Sequence, residues 1–157
     1  MLEPKRNTDI NSLSPTYRKK YNAFMKAVLA RYPHCIVFEA RRTQERQNRL
    51  YGVGRTHSKG RKPITWTLYS NHIQGNAVDL VRKYGKNISR VGPYQDLIYI
   101  CGMYGIKNLT PIETCHFEDD FRNINDVIKQ NWIRREVEDE RGRRLLHEAN
   151  NNLKEQL

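Results

Sequence analysis

The sequence SNHIQGNAVD, residues 70–79, constrains the fold more than any other stretch of the chain. It places an imidazole, His72, seven residues before a carboxylate, Asp79. That gap is too wide for contact within one helix, so a turn has to bring the two side chains together. A glycine and a small alanine between them permit such a turn and a close approach of the backbone. The stretch therefore predicts a loop that carries His72, followed by a strand over 77–81 that carries Asp79.

A second short sequence, ETCHFE at residues 113–118, adds another imidazole and further carboxylates. In a turn that leads into a strand, Glu113 and His116 can converge on one point. Histidine nitrogens and carboxylate oxygens are ordinary zinc ligands, and catalytic zinc typically has three protein ligands and one open position. We therefore predict that His72, Asp79 and His116 bind Zn²⁺, with Glu113 as the base that takes a proton from an attacking water.

Each half of this pattern also has a purely structural interpretation. His72 and Asp79 could be a surface histidine and a strand carboxylate that share a hydrogen bond. Glu118 could hydrogen-bond to His116, or it could occupy a surface strand position. Cys115 is a conceivable thiolate ligand, but neighbouring side chains in a strand point to opposite faces, so we expect His116 alone to face the metal.

The composition indicates one strongly basic domain. The 157 residues suit a single hydrophobic core, and the formal net charge is +11. A protein with this positive charge attracts polyanions, whether nucleic acid, an anionic cell wall or a lipid headgroup layer. No apolar run approaches the roughly 20 residues of a membrane span, and the N-terminus lacks the apolar stretch of a secretory signal. We therefore expect no transmembrane segment and synthesis in the cytoplasm. The odd number of cysteines favours buried core thiols for Cys35 and Cys101.

Helix and strand signals alternate along the chain, which predicts an α+β domain with a small, mostly antiparallel sheet flanked by helices. Ser14 and Pro15 begin an amphipathic helix over 15–32, and Thr43 caps a second helix that reaches about Tyr51. A third helix begins at Gly92-Pro93, and short strands are predicted over 35–38, 64–67, 77–81, 106–109 and 115–118.

The domain organisation follows from these signals. We expect a flexible arm over residues 1–13, the main domain over 14–121, and a C-terminal helical extension over 122–157 that packs on the domain. The loop 53–64 is basic and glycine-containing, and we expect it to be exposed and mobile.

Taken in order, these residues resemble a known enzyme family. The pattern Ser70-x-His72-x-x-Gly75-x-Ala77-x-Asp79, then Glu113-x-x-His116, is similar to that of the zinc D-Ala-D-Ala carboxypeptidases and L-Ala-D-Glu endopeptidases. That family includes bacteriophage endolysins and vancomycin-resistance dipeptidases. The upstream segment Arg42-Thr43-x-x-x-Gln47-x-x-Leu50-Tyr51, then Gly54-Arg55-Thr56, looks like the one these enzymes carry before their first ligand. The resemblance covers about residues 35–120.

The resemblance implies a Hedgehog/DD-peptidase type fold with zinc at the three ligands named above. It implies that Glu113 acts as general base and then as general acid. It also implies that Arg42 reaches into the cleft to hold a substrate carboxylate or the developing oxyanion. A surface salt bridge is the alternative for Arg42, and Arg41 competes for its role. Ser70 either orients the substrate or only forms the turn.

The implied activity is that of a zinc metallopeptidase that cleaves the stem peptides of bacterial peptidoglycan, as a carboxypeptidase or an endopeptidase. We expect a monomeric phage endolysin that reaches the wall after holin-type release, or a wall-opening enzyme carried by the virion. One alternative is a catalytically silent wall-binding or structural module of the same fold. Another is a basic nucleic-acid-binding protein, but the sequence lacks an aromatic-interleaved basic sheet, so we expect no dedicated nucleic-acid partner.

Overall fold

The structure is a computed structural model, and it describes residues 3–89, 95–109 and 113–121. These residues all belong to one compact unit, Met1–Phe121. The predicted C-terminal helical extension, 122–157, lies outside the described residues, as does the predicted Gly92-Pro93 start of the third helix. None of the helices in the described ranges has both the length and the apolar character that crossing a bilayer requires.

An antiparallel sheet forms the centre of the unit. Its described strands are β1 (Cys35–Glu39), β2 (Ala77–Tyr84), β3 (Asn87–Ser89), β4 (Ile106–Leu109) and β5 (Glu113–Asp119). The strand order is β1-β2-β5-β4, and β3 pairs with β2. This architecture, together with the helices packed on it, confirms the predicted α+β class. The short strand β3 was not predicted.

The helices in the described part of the chain are α1 (Pro15–Arg31), α2 (Gln44–Gly52) and α3 (Gln95–Gly102), and a short 3₁₀ helix precedes them (Ile10–Ser12). The first two begin at the predicted capping residues. The Ser14 side chain accepts a hydrogen bond from the backbone of α1, and the Thr43 hydroxyl accepts one from the backbone of α2. α1 packs its apolar face on the sheet, where Phe24 lies 5.4 Å from Phe117 between ring centroids.

Two of the cysteines belong to the core, as predicted. Cys35 and Cys101 are buried, and neither forms a disulfide. Burial raises the pKa of the Cys35 thiol to about 11 and that of the Cys101 thiol to about 12. Both side chains therefore stay protonated and act as small apolar groups.

The N-terminal segment corrects one prediction. Residues 3–13, expected as part of a flexible arm, lie against the domain instead. Leu13 is 3% exposed and belongs to the core, and the Asn7 carbonyl accepts a hydrogen bond from the Ala40 backbone (2.7 Å). Arg46 of α2 also donates to this segment. The polar composition was misleading, because Leu13 enters the core while Glu3, Pro4 and Asn7 accept hydrogen bonds from the domain.

The strand predicted over 64–67 is wrong, since this segment is irregular. Its β-branched residues suggested a strand, but a helix side chain satisfies its polar groups. Gln47 of α2 donates from Nε2 to the Thr65 hydroxyl (3.2 Å) and to the Thr67 carbonyl (2.6 Å).

The turn before β2 depends on a glycine. Gly75 has a φ of +74°, and its carbonyl accepts a hydrogen bond from the Ser14 backbone (2.9 Å). A Cβ at this position would lie 2.9 Å from the Ser14 nitrogen and 3.0 Å from the Ser12 carbonyl oxygen. Any larger residue would be strained and would push the loop away from the N-terminal segment.

Strand register then fixes the centre of the site. Asp79 of β2 pairs directly with His116 of β5 on one side and with Glu39 of β1 on the other. Residues directly opposite each other in antiparallel strands carry their side chains on the same face. The sheet therefore presents an acid flanked by an imidazole and a second acid.

Candidate metal centre

The structure brings the three predicted ligands together. His72, Asp79 and His116 each offer one ligand atom, and these atoms lie within 4.8 Å of one another. His72 Nε2 and His116 Nδ1 are each 3.3 Å from Asp79 Oδ1. Two imidazoles therefore face the same carboxylate oxygen.

The loop before β2 holds His72 in place through its backbone. The His72 amide donates to the Ser70 hydroxyl (3.3 Å), and the His72 carbonyl accepts from the Arg42 amide (2.9 Å). The side chain is 1% exposed. The loop thus behaves as a fixed extension of β2 rather than as a free connection.

The inner contact of His72 determines its tautomer. Its Nδ1 lies 2.6 Å from the Ala40 carbonyl oxygen, which can only accept, so Nδ1 carries the hydrogen. In the neutral ring Nε2 is then a bare lone pair, and it is buried without a hydrogen-bond partner in the described part of the chain. The nearby Asp79 oxygen is also an acceptor and cannot satisfy it. An unsatisfied buried polar group costs about 1–3 kcal/mol, which a bound cation would remove.

His116 is oriented in the same way from the other side. Its Nε2 lies 3.0 Å from Glu118 Oε2. The hydrogen bond from His116 is the largest of the effects that lower the Glu118 pKa to about 2, against the opposing effect of burial. Glu118 is therefore ionised and accepts, which leaves Nδ1 to face Asp79. Of the two interpretations of Glu118, the hydrogen bond to His116 is the one observed.

The electrostatics of the centre favour a positive charge between these groups. Burial lowers the His116 pKa, but hydrogen bonds to Asp79 and Glu118 and the charge of Glu113 outweigh it and raise the pKa to about 9. Burial raises the Asp79 pKa, but the two imidazoles hold it well below its usual range. A proton or a metal cation can supply this charge. Two nitrogens and one carboxylate oxygen form a donor set that fits Zn²⁺.

Glu113 lies beside the ligands rather than among them. Its Oε2 is 3.6 Å from His116 Nδ1, and its side chain is 31% exposed towards the cleft. A carboxylate in this place can reach both the centre and a molecule that enters from solvent.

Arg42 lines the same cleft, although only 8% of it is exposed. It donates to Glu39 Oε2 and to Gln47 Oε1 at 2.7 Å each, and its Nη2 lies 3.4 Å from Asp79 Oδ2. It therefore places positive charge directly next to a predicted ligand. Arg41, its competitor by sequence, is exposed and donates to a loop carbonyl.

An ion-pair chain that was not predicted lies behind this arginine. Glu39 is 2% exposed and accepts from both Arg42 and Arg46, and Arg46 also contacts Glu3. The sequence did contain a signal for this chain, because Glu39 is a charged residue at the end of an apolar strand and lies three residues before Arg42. The chain of alternating charges ends at Asp79.

A cleft opens over the centre and collects the predicted site residues. Ser70, Arg42 and Glu113 line it together with the three ligands. Cys115 also lines the cleft but does not belong to the ligand group, as strand alternation predicted.

Comparison with known proteins identifies the fold. No protein-family model and no curated protein sequence matches the chain. Solved structures do match. The Serratia marcescens L-Ala D-Glu endopeptidase ChiX is 21% identical with a TM-score of 0.53, and the match covers 76% of this chain and 93% of that one. The vancomycin-resistance D,D-pentapeptidase VanY, in complex with Zn(II), is 18% identical with a TM-score of 0.55, covering 74% and 76%.

A third structure, VanYB in complex with D-alanine-D-alanine, is 20% identical with a TM-score of 0.56, covering 74% of this chain and 75% of that one. At these identities the likeness shows the fold. The resemblance found in the sequence is therefore confirmed as a shared DD-peptidase type fold, whereas the roles of the site residues stay predictions.

Proposed function

We propose that this chain is a zinc-dependent peptidase that cleaves the stem peptides of bacterial peptidoglycan. The observation that carries the proposal is the pair of oriented imidazoles. The inner nitrogen of His72 donates to the Ala40 carbonyl and that of His116 to Glu118, so the other nitrogen of each ring faces Asp79 and can bind a metal once it carries no proton. The shared fold with peptidases named for L-Ala-D-Glu and D-Ala-D-Ala chemistry supports the substrate class.

His72, Asp79 and His116 would hold the metal. Bound zinc supplies a Lewis acid and makes hydroxide available near pH 7. Glu113, partly exposed and 3.6 Å from His116, accepts the proton of the attacking water and then delivers it to the nitrogen of the leaving amine. The peptide carbon–nitrogen bond breaks, and the products are a carboxylate and an amine.

Two further residues act on the substrate. Arg42 lies at 3.4 Å from Asp79 and supplies positive charge for a substrate carboxylate or the developing oxyanion. The Ser70 oxygen accepts from the His72 amide, so its hydroxyl hydrogen can donate to a substrate carbonyl. Both residues line the cleft; Glu39 and Gln47 hold the Arg42 guanidinium, and Ser70 belongs to the loop that carries the first ligand.

The biological role we infer is that of a phage endolysin in host lysis, released to the wall by a holin or carried by the virion. The net charge of +11 supports it, because a basic protein is attracted to an anionic wall. A catalytically silent module would keep the fold and the metal but would show no turnover.

The experiment is digestion of purified peptidoglycan followed by mass spectrometry of the muropeptides. We expect hydrolysis that stops when a chelator removes the metal and resumes when zinc is added. A new D-Glu amino terminus identifies an endopeptidase, and loss of a terminal D-Ala identifies a carboxypeptidase. Hydrolysis that continues without metal, or no hydrolysis by the zinc-loaded protein, contradicts the proposal.

A further inference from the structure

Two exposed aromatic side chains stand at the edge of the cleft. Trp66 is 65% exposed and Tyr69 is 89% exposed, and both line the cleft that contains His72. Ile64, 41% exposed, lines it beside them. Large apolar side chains grouped on a surface mark a binding site more often than isolated ones do. We call Trp66 and Tyr69 the aromatic lip.

The backbone under the aromatic lip is held firmly. Gln47 donates to the Thr67 carbonyl at 2.6 Å, Gln44 to the Leu68 carbonyl at 3.1 Å, and Arg55 to the Thr65 carbonyl at 3.1 Å. These bonds hold the backbone from which the Trp66 and Tyr69 side chains project. The exposed rings therefore stand on a backbone that helix α2 and Arg55 hold in place.

The aromatic lip is also connected to the metal centre. Gln47 is fully buried, and its Oε1 accepts from Arg42 while its Nε2 donates to the segment under the lip. Tyr69 precedes His72 by three residues, so their Cα atoms lie within about 11 Å of each other. The lip and His72 therefore lie in neighbouring parts of the same cleft.

The chemistry of this surface suits a sugar ring. A pyranose has an apolar C–H face, which packs on an aromatic ring, and a rim of hydroxyl groups, which needs polar partners. Trp66 and Tyr69 offer the rings, while Thr67, Ser70 and Asn71 in the same cleft wall offer hydroxyl and amide groups.

We infer that the aromatic lip binds the glycan strand of peptidoglycan, with sugar rings packed on Trp66 and Tyr69; this inference rests on the proposed function. In peptidoglycan the first residue of the stem peptide, L-Ala, is amide-linked to a sugar of the glycan. One molecule can therefore place its sugar on the lip and its peptide at the metal centre.

This placement favours one of the two bonds. The L-Ala–D-Glu bond lies one residue from the sugar attachment, about 3.5 Å along an extended chain, whereas the terminal D-Ala–D-Ala bond lies four residues away, about 14 Å. The Cα atoms of Tyr69 and His72 lie within about 11 Å of each other, which is less than the span to the second bond. We therefore expect cleavage of the first bond, where water adds and gives an L-Ala carboxylate on the glycan and a free D-Glu amine.

A membrane surface is the competing occupant, since Trp and Tyr beside basic residues also suit an interface. A bilayer, however, would lie across the mouth of the cleft and would not enter it. The continuity of the lip with the cleft wall favours the glycan.

The first test measures binding without catalysis. The metal-free full chain is titrated calorimetrically with an N-acetylglucosamine tetramer, and Trp66→Ala and Tyr69→Ala are compared with Tyr99→Ala. Tyr99 is 54% exposed and lies on α3 away from the cleft lining, so it is a matched control. We expect the lip variants to bind about tenfold more weakly and the control to bind like wild type. No binding by wild type, or equal loss in the control, overturns the inference.

The second test uses hydrolysis. We expect Trp66→Ala to lower kcat/KM about tenfold for a disaccharide-tetrapeptide and less than about twofold for the free tetrapeptide. The inference is overturned if Trp66→Ala lowers kcat/KM equally for both substrates. It is also overturned if the substitution weakens only the binding of the protein to phosphatidylglycerol vesicles. Sugar binding is measured on the metal-free protein, so the two proposals can fail separately. If the protein binds the sugar but hydrolyses no substrate, the proposed function is refuted and sugar binding by the aromatic lip still stands.

Discussion

The Nδ1 atom of His72 lies 2.6 Å from the carbonyl oxygen of Ala40, and this contact decides which nitrogen of the ring faces Asp79. The equivalent contact of His116 is made by Nε2 with Glu118 at 3.0 Å. The two imidazoles thus expose opposite ring nitrogens to one carboxylate. Such outer hydrogen bonds are typical of histidines that bind a metal, because they fix both the tautomer and the ring direction.

These contacts predict the tautomers in the zinc-loaded protein. His72 should carry its hydrogen on Nδ1 and His116 on Nε2. Long-range proton–nitrogen correlation spectra of the ¹⁵N-labelled side chains distinguish the two forms. The opposite tautomer at either residue would mean that its bare nitrogen points away from the centre.

Glu113 should be needed for turnover but not for the metal. Replacing it with Gln removes the base and keeps the shape, so we expect kcat to fall by about 10²–10⁴-fold while zinc stoichiometry stays at wild-type level. Glu45→Gln, an exposed carboxylate of α2, is the control and should have full activity. Normal turnover by the Glu113 variant would assign the base elsewhere.

Zinc binding should depend on pH through His116. In the metal-free protein its pKa is raised from 6.5 to about 9, so at neutral pH a proton must leave Nδ1 before zinc binds. The affinity should rise about tenfold per unit between pH 7 and 9. Calorimetry in buffers of different ionisation enthalpy should show about one proton released per zinc. A pH-independent affinity would contradict this protonation state.

The same shift predicts how the stability of the metal-free protein changes. The His116 pKa is higher in the folded protein than in the unfolded chain, so protonation of His116 stabilises the fold. This stabilisation is fully present below the unfolded pKa, near 6.5, and is lost as the pH rises through about 9. Thermal unfolding temperatures of the metal-free protein should therefore fall across that range. A flat profile would show that His116 is not protonated in the fold.

The buried ion-pair chain predicts unequal roles for two carboxylates that share Arg46. Glu39→Gln removes the anionic partner of the buried Arg42 and Arg46 guanidinium groups. We expect it to lower the free energy of unfolding, measured in urea, by about 3–5 kcal/mol. The Glu3 side chain is 61% exposed, so Glu3→Gln should cost less than about 1 kcal/mol. Similar losses for both would indicate that Glu39 is not buried as described.

Only part of the centre has local determinants. The glycine turn brings the loop of His72 back to β2, and strand alternation puts Asp79 on the inner face. The convergence with His116 depends on the pairing of β2 with β5, and the resemblance of the combined motif to a known family allowed it to be predicted. The helices of residues 15–31 and 44–52 were likewise predicted by their own caps and periodicity.

The errors concern contacts between distant segments. Nothing near Glu39 in sequence shows that it lies between two arginines, one of which also holds the N-terminal segment. The irregular path of 64–67 depends on Gln47, which lies on a separate helix. Patterns within a short window do not contain such tertiary partners.

An anomalous difference map, recorded at the zinc absorption edge from crystals of the zinc-loaded protein, shows which side chains bind the metal. We predict one strong peak shared by His72 Nε2, an Asp79 carboxylate oxygen and His116 Nδ1. A map with no peak at these three atoms, or with zinc bound only by other residues, would show that they do not form a zinc site.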